Sequence, residues 1–530
     1  MMDQLFIGVD VGSASVRAGV YTPHGERLAF AVRPVQQFHP AVNYVEQSST
    51  DIWQQVCAVV REAVSLAKID PAHVASIGFD ATCSLVAVGR GGEPISVAQG
   101  GDSHRDIIMW MDHRAGEQTQ RINATRDPAL EYVGGSVSIE MELPKILWLK
   151  NHFPERYHSV WRFFDLADYL AWRASGIDAA SICTLTCKWN YLAHESRFSQ
   201  TLLDAVELGD VTAKIPGRIA NIGEALGTLQ PEAVQQLGLT QRVVVSSGMI
   251  DAHAGGLALV AENPQQNLAL ISGTSNCHMI ISPQPVFIPG VWGPYFGAMY
   301  PNWWLNEGGQ SAAGALVEWT LQQSEHWRGF NEEAVALGCS PYALLNQRVE
   351  ALEAQEANPT QSLHVLGDHH GNRSPRADAQ AKGMTAGLTL ESGPQQLTRL
   401  YLATLQAIAY GTRHIIDTME DHGQKIDTIT LCGGASKNPL WLREYADATG
   451  RAIHLVAEED AVTLGAALTG AVACGAFTDL SAAARSMVKR DRTITPNPAK
   501  RAFHDAKYQV YLQMYQDQQR YQALMATSRI

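Results

Sequence analysis

Apolar residues crowd the opening run LFIGVDVGSASVRAGVYTPHGERLAFAVRPV in short blocks, broken at Gly12-Ser13 and again at Pro23-His24-Gly25. Blocks of this length between turn residues predict β-strands, and the tight turns predict an antiparallel meander. Over residues 50–67 the spacing changes. Ile52, Trp53, Val56, Val59, Val60, Ala63, Val64 and Ala67 recur at helical intervals, with Thr50 or Asp51 available as N-cap. Residues 74–79 and 84–88 again read as short buried strands, followed by a Gly-rich turn at 89–92. A similar order returns later: strands at 268–273 and 277–281 around a Gly-Thr-Ser turn, helices at 311–323 and 397–419, and a strand at 428–431 leading into Gly433-Gly434. The repetition predicts two related α/β lobes.

The boundary is placed in 255–266, where Gly255-Gly256 and then Glu262-Asn263-Pro264-Gln265 interrupt the pattern. The expected division is a first lobe over 1–260, a second lobe over 261–480, and a helical extension over 481–530. A chain of 530 residues, 46% hydrophobic, buries enough for two such domains. Its 40 basic and 53 acidic residues leave a net charge of −13, which argues against nucleic acid as a partner. The weakly polar stretch 464–477 falls short of the roughly 20 apolar residues that cross a bilayer, so no membrane association is expected. The amino terminus shows no secretory pattern, and the expected location is the cytoplasm. Eight scattered cysteines form no disulfide framework; Cys183 and Cys187 share a helical face without a neighbouring His to complete a zinc site. Residues 367–387, with His369 and His370, read as a polar surface loop near a cleft.

Several turns carry residues suited to phosphate chemistry. Asp10 ends an apolar strand ahead of Gly12, Ser13 and Ser15, offering a carboxylate for a hydrated cation and donors for phosphate oxygens. The turn Ser272-Gly273-Thr274-Ser275-Asn276 offers a second anion-binding hairpin, and Gly433-Gly434-Ala435-Ser436-Lys437-Asn438 permits close approach of a flat or phosphorylated ligand. Neither Gly-x4-Gly-Lys-Ser/Thr nor Gly-x-Gly-x-x-Gly occurs, so a bound nucleotide is held differently. Asp251, after a strand and before a Gly-rich helical start, is the candidate general base, with an N-cap as its structural alternative.

The segments GVDVGSASVRAGVY, IIMWMDHRA, GMIDAHAGG, SGTSN and CGGASKNPLW occur in the order found in FGGY-type carbohydrate kinases, which this chain resembles over roughly residues 5–480. The resemblance implies two ribonuclease-H-like lobes, as in actin and Hsp70, around a central cleft, and transfer of the γ-phosphate of ATP to a sugar hydroxyl. It also implies that Asp10 holds Mg²⁺, that Gly12, Ser13, Gly273 and Thr274 meet the phosphates, and that Gly314, Gly434, Ala435 and Asn438 border the nucleotide. On the acceptor side it implies Thr82, Cys83, Ser84, Asp112, Arg114 and Lys188, with Asp251 as base. Glu318 stands where some members carry Gln, and Glu142 is a further residue that could reach the cleft. The TCSLV run and Trp110–Arg114 look most like the D-ribulose kinase branch, giving ATP-dependent formation of D-ribulose 5-phosphate. Kinases for L-ribulose, D-xylulose or another polyol share the ATP-side motifs. A non-catalytic actin-like ATPase or sugar sensor shares the fold but has no need of an acid at 251. Trp292, Trp303 and Trp304 are candidates for core, for a cleft lining or for an interface such as that of a homodimer.

Overall fold

The computed structural model describes residues 4–526. Among them are two seven-stranded mixed sheets built on the same plan. In the first, Leu5–Val11 pairs antiparallel with Ser15–Tyr21, which pairs antiparallel with Arg27–Pro34. On its other side Leu5–Val11 runs parallel to Val74–Ala81, and that strand parallel to Val244–Ser246. In the second, Asn267–Ser272, Asn276–Ser282 and Trp304–Gln310 form the antiparallel trio. Thr428–Cys432 and Ala452–Val456 extend it in parallel. This is the ribonuclease-H-like plan, present twice.

The central strand of the first sheet, LFIGVDV, is buried along its whole length because helices cover both faces. One cover is the helix Ser49–Ala67, whose N-cap is Ser48 and not Thr50 or Asp51: its hydroxyl accepts from the Asp51 N–H at 3.2 Å. The other comes from far along the chain. Ala461–Ala473 packs on Leu5–Val11 and Val74–Ala81, while Asp251–Val260, from the first half, packs on Asn267–Ser272 of the second sheet. The two helices lie against each other at glycine contacts. A Cβ on Gly8 would fall 1.8 Å from the Thr463 carbonyl oxygen, and one on Gly465 would fall 1.9 Å from that of Ala254.

Across the expected division at 260, a helix of the second half thus closes the first sheet. The expected helical extension over 481–530 is corrected: Arg490–Ile494 is an edge strand of the second sheet, and the long helix of that span is Arg501–Ala526. Residues 367–387 are not simply a surface loop. Asp368, Asn372 and Ser374 are buried, and Met384–Ala386 pairs with His364–Leu366. Among the described residues, no helix is long and apolar enough to cross a membrane.

Candidate active site

The two hairpin loops and the start of Asp251–Val260 meet at one cavity of about 240 Å³ between the sheets. Ser13, Thr82, Cys83, Lys188 and Asp251 line it from the first half of the chain, and Ser275, Glu307 and Arg373 from the second. A larger hollow, about 470 Å³, lies among surface helices around Phe330 and Leu352 and contains none of the candidate residues.

Asp251 is the first residue of its helix and not its cap; its Oδ1 accepts from the Ala252 N–H at 2.7 Å. Burial raises its pKa, opposed by that N–H and by the positive charges of His253, Arg17 and Lys188. A carboxylate held more basic than usual is suited to accept a proton from a hydroxyl. Lys188 ends the short helix Ile182–Lys188 and faces the cavity. Burial disfavours its ammonium, but Cys83, Glu307, Tyr295 and Glu140 outweigh that and hold its pKa well above the ordinary lysine value. Two residues further into the helix from Asp251, His253 Nε2 lies 3.1 Å from Glu307 Oε2, bridging the lobes. Its Nδ1 lies 3.4 Å from Cys183 Sγ and 3.7 Å from Cys187 Sγ, so a His does approach the cysteine pair. Even so, among the described residues no group of three or more His, Cys, Asp or Glu is arranged to hold a metal ion.

Beside the cavity, strand register places Asp10 opposite Asp80 on neighbouring parallel strands. Arg17 pairs with Asp10 and, at 2.9 Å, with Asp460. Apart from Arg17 and the hydrogen bond the two carboxyls share with each other, no donor of the described residues reaches the carboxylate oxygens of Asp10 and Asp80. Burial pushes the Asp10 pKa up to about 7, with Asp251 and Asp460 adding to the rise and Arg17 opposing it. Burial and the charge of Asp10 raise Asp80 well above the ordinary carboxylate value. Buried, orphaned carboxylate oxygens fit a hydrated Mg²⁺, which uses one or two carboxylates, waters and phosphate oxygens and needs no cage of protein ligands.

The nucleotide-side turns leave open space where a ligand would lie. A Cβ on Gly273 or on Gly434 would meet nothing within 4 Å. Gly314 acts one step back. Its N–H donates to the Gly273 carbonyl at 2.9 Å, and a Cβ there would sit 2.7 Å from that oxygen, so only glycine lets the helix start support the turn. Gly433, at φ +94°, does the same for the Gly434 turn against the Ser272 carbonyl oxygen, 2.5 Å from where its Cβ would be.

Two family profiles match the chain: the FGGY family of carbohydrate kinases, N-terminal domain, over residues 5–258, and its C-terminal domain over residues 268–474. The chain belongs to the FGGY carbohydrate kinases. It is 44% identical over 545 residues to an FGGY carbohydrate kinase domain-containing protein of Homo sapiens, covering 99% of this chain and 98% of that one. It is 36% identical to a D-ribulokinase of Saccharomyces cerevisiae, covering 89% and 72%. Among solved structures, a xylulose kinase from Rhodospirillum rubrum superposes with a TM-score of 0.83 at 22% identity, covering 98% and 99%, which shows the shared fold. The protein is thus an ATP-dependent sugar kinase.

Within this FGGY kinase several expected site residues lie elsewhere. Asp112 and Arg114 do not line the cavity. Both side chains are buried, Arg114 donates to Asp112 at 2.7–2.9 Å and to Glu46 at 2.9 Å, and its guanidinium lies between the rings of Tyr44 and Trp148. With Asp112 also accepting from the Val45 N–H at 2.6 Å, neither side chain is left over for a sugar. The pair sits beneath Trp110, whose Nε1 donates to Ser13 Oγ at 2.9 Å. Ser84 lies behind Thr82, its hydroxyl accepting from the Trp110 N–H at 3.1 Å. Asn438 caps the helix Pro439–Thr449 and donates to the Tyr401 hydroxyl at 2.7 Å, and Ala435 is buried, so contacts of these two residues with a nucleotide run through their backbone. Glu318 is taken up by Gln322 and Tyr342. Glu142 turns inward to Lys145 at 3.3 Å. Sequence reasoning missed Glu140, Glu307 and Arg373, all in the cavity wall. Trp292 also lines it, while the buried Trp304 packs in an aromatic group with the half-buried Tyr132, His194 and Phe296.

Proposed function

We propose that this kinase phosphorylates a ketopentose, D-ribulose before others, at the hydroxyl presented to Asp251, giving D-ribulose 5-phosphate. The observation that carries this reading is a raised-pKa carboxylate and an ammonium, Asp251 and Lys188, in one cavity with residues of both phosphate-type turns, Ser13 and Ser275. The choice of sugar is supported by the TCSLV and Trp110–Arg114 resemblance and by the yeast D-ribulokinase relative.

Asp251 takes the proton of O5 as that oxygen bonds to the γ-phosphorus; the bond to the bridging β-γ oxygen breaks, and its electron pair leaves with ADP. Lys188 and Glu307 supply a donor and an acceptor to the other sugar oxygens, fixing which hydroxyl reaches Asp251. The Gly12-Ser13 and Gly273-Thr274 turns present backbone and hydroxyl donors to phosphate oxygens. Mg²⁺ held by Asp10, with Asp80 beside it, would neutralise phosphate charge. Enclosure between the lobes keeps water from the reacting phosphate.

The test is ADP release with Mg-ATP across D-ribulose, L-ribulose, D-xylulose, ribitol, glycerol and no sugar, using wild type and Asp251→Asn. A D-ribulose optimum that drops by roughly 100-fold or more in the variant supports the reading. A different best sugar keeps Asp251 as base and replaces the substrate.

A further inference from the structure

Arg373 enters the same cavity from the segment that sequence reasoning left as a polar loop. Like Lys188, it has no carboxylate at ion-pair distance among the described residues; its guanidinium carbon lies over the Trp292 ring, 5.5 Å from the centroid. A partly buried guanidinium with unused donors is costly unless something donated to arrives with the ligand. Lys188 acts on Asp251 and, with Arg373, on Glu307, Glu140 and Cys277, whereas Arg373 is not among the principal charges on Asp251. Arg373 also lines, with Ser138, Glu140 and Trp292, an adjoining hollow of about 710 Å³ that neither Asp251 nor Lys188 reaches, which puts it at the end of the site away from the base.

The chain invests several elements in placing this one side chain. Gly309 gives its stem room, since a Cβ there would lie 2.8 Å from Arg373 Cδ. Asn372 and Asp378 exchange backbone hydrogen bonds at 2.8 Å across the turn, and Asn372 Nδ2 donates to Asp368 at 3.0 Å. From outside, the helix Arg501–Ala526 clamps the turn. The Tyr515 hydroxyl donates to Asp378 at 2.8 Å, Gln519 donates to the same oxygen at 3.0 Å, and Arg376 lies 3.6 Å over the Tyr515 ring.

We infer that Arg373 is a specificity residue of the acceptor site, its guanidinium donating to the oxygens at the end of the sugar away from Asp251, and that the Arg501–Ala526 helix is what holds it there. A planar fork of N–H donors matches two oxygens on adjacent carbons, as at the O1–O2 hydroxyketone end of a 2-ketose. The inference rests on the sugar-kinase reading of this cavity and adds the recognition of the non-reacting end.

The experiment compares wild type, Arg373→Gln and Arg373→Lys with D-ribulose and 1-deoxy-D-ribulose, and adds Asp378→Ala, which alters no cavity-lining side chain. In wild type, loss of O1 is expected to lower kcat/KM roughly 10- to 100-fold. In Arg373→Gln the sugar KM is expected to rise by a similar factor, with the KM for ATP within about 3-fold of wild type, and the further loss on removing O1 is expected to shrink to about 2-fold. Arg373→Lys recovers only part, and Asp378→Ala raises the sugar KM by a smaller factor in the same direction. An unchanged sugar KM in Arg373→Gln, or an O1 penalty as large as in wild type, overturns the inference while leaving the kinase reading intact. Failure of the wild type to turn over any ketopentose overturns the substrate reading and this inference together.

Discussion

Asp10 and Asp80 occupy paired positions on neighbouring parallel strands, and their buried carboxyl groups press against each other with the Arg17 guanidinium in contact with Asp10. Such a pair is a poor ending for two strands and a good seat for a divalent cation. At a pH above these raised values, where both carboxyls are ionised, Asp80→Asn removes one of two like charges, so there, in EDTA, its melting temperature should exceed that of wild type. The rise in melting temperature on adding Mg-ATP should shrink in the same variant. Asp10→Asn should lower kcat/KM by roughly 100-fold or more. Scanning fluorimetry with and without Mg-ATP, alongside ADP release, reads all three effects; a wild-type Mg-ATP shift in Asp10→Asn would remove Asp10 from the metal seat.

Two glycine substitutions should fail in opposite ways. At Gly273 a methyl group meets open space on the protein side, so Gly273→Ala should keep its melting temperature while raising the KM for ATP or lowering kcat. At Gly465 the methyl runs into the backbone of Ala254, and Gly465→Ala should cost about 3 kcal/mol or more, at or beyond the usual range for overpacking. Urea titration of both variants, paired with ATP kinetics, separates a ligand-side loss from a packing loss.

Arg114 should behave as structure and not as a sugar ligand. Arg114→Met leaves Asp112 buried without its cation and Glu46 with Arg105, at 3.4 Å, in its place, a loss of about 3–5 kcal/mol. Whatever fraction stays folded should show the wild-type KM for sugar. A folded variant of normal stability with a raised sugar KM would restore the direct contact that the motif resemblance implies.

Asp106 offers a pH test away from the cavity. Burial pushes its carboxyl up to about 7 in the folded protein, against hydrogen bonds from the Ser49 N–H and hydroxyl at 2.9 and 2.5 Å that favour the anion. Unfolded, it titrates near its ordinary value of 3.8. Because the folded value is the higher one, its contribution is fully present below about 4 and is lost as pH rises through about 7. Asp106→Asn has no such titration. Its melting temperature relative to wild type should therefore improve between pH 5 and pH 8, and an unchanged difference would place the folded pKa below that interval.

Much of the fold could be read from local pattern because the two central trios are consecutive hairpins, and helices such as Ser49–Ala67 and Pro394–Asp421 keep their apolar spacing over many turns. Crossed packing left no such trace. Nothing in the run AVTLGAALTGAVA says that it belongs under the first sheet, because a helix buried on every side has no polar face to give its direction. The cavity divides the same way. Asp251 and Lys188 follow recognisable motifs, whereas Glu140, Glu307 and Arg373 come from three separate segments that only the tertiary fold brings together. Glu307, a carboxylate in the strand WLNEGGQ, was the one with a local clue, being charged where a strand is otherwise covered. Asp112 and Arg114 misled for a related reason: a donor and an acceptor two residues apart satisfy each other as readily as they satisfy a sugar.

The helix Ala461–Ala473 also imposes an order on the birth of the protein. The strands Leu5–Val11 and Val74–Ala81 that it covers are synthesised long before it, and their outer face stays bare until the ribosome has passed Ala473. Until then Gly8 and Gly78 present a smooth apolar surface with no partner, the kind of face that chaperones hold and that neighbouring nascent chains adhere to. A ribosome-stalled chain ending before Ala461 should accordingly be cleaved by protease within its first lobe, and one extended past the helix should resist.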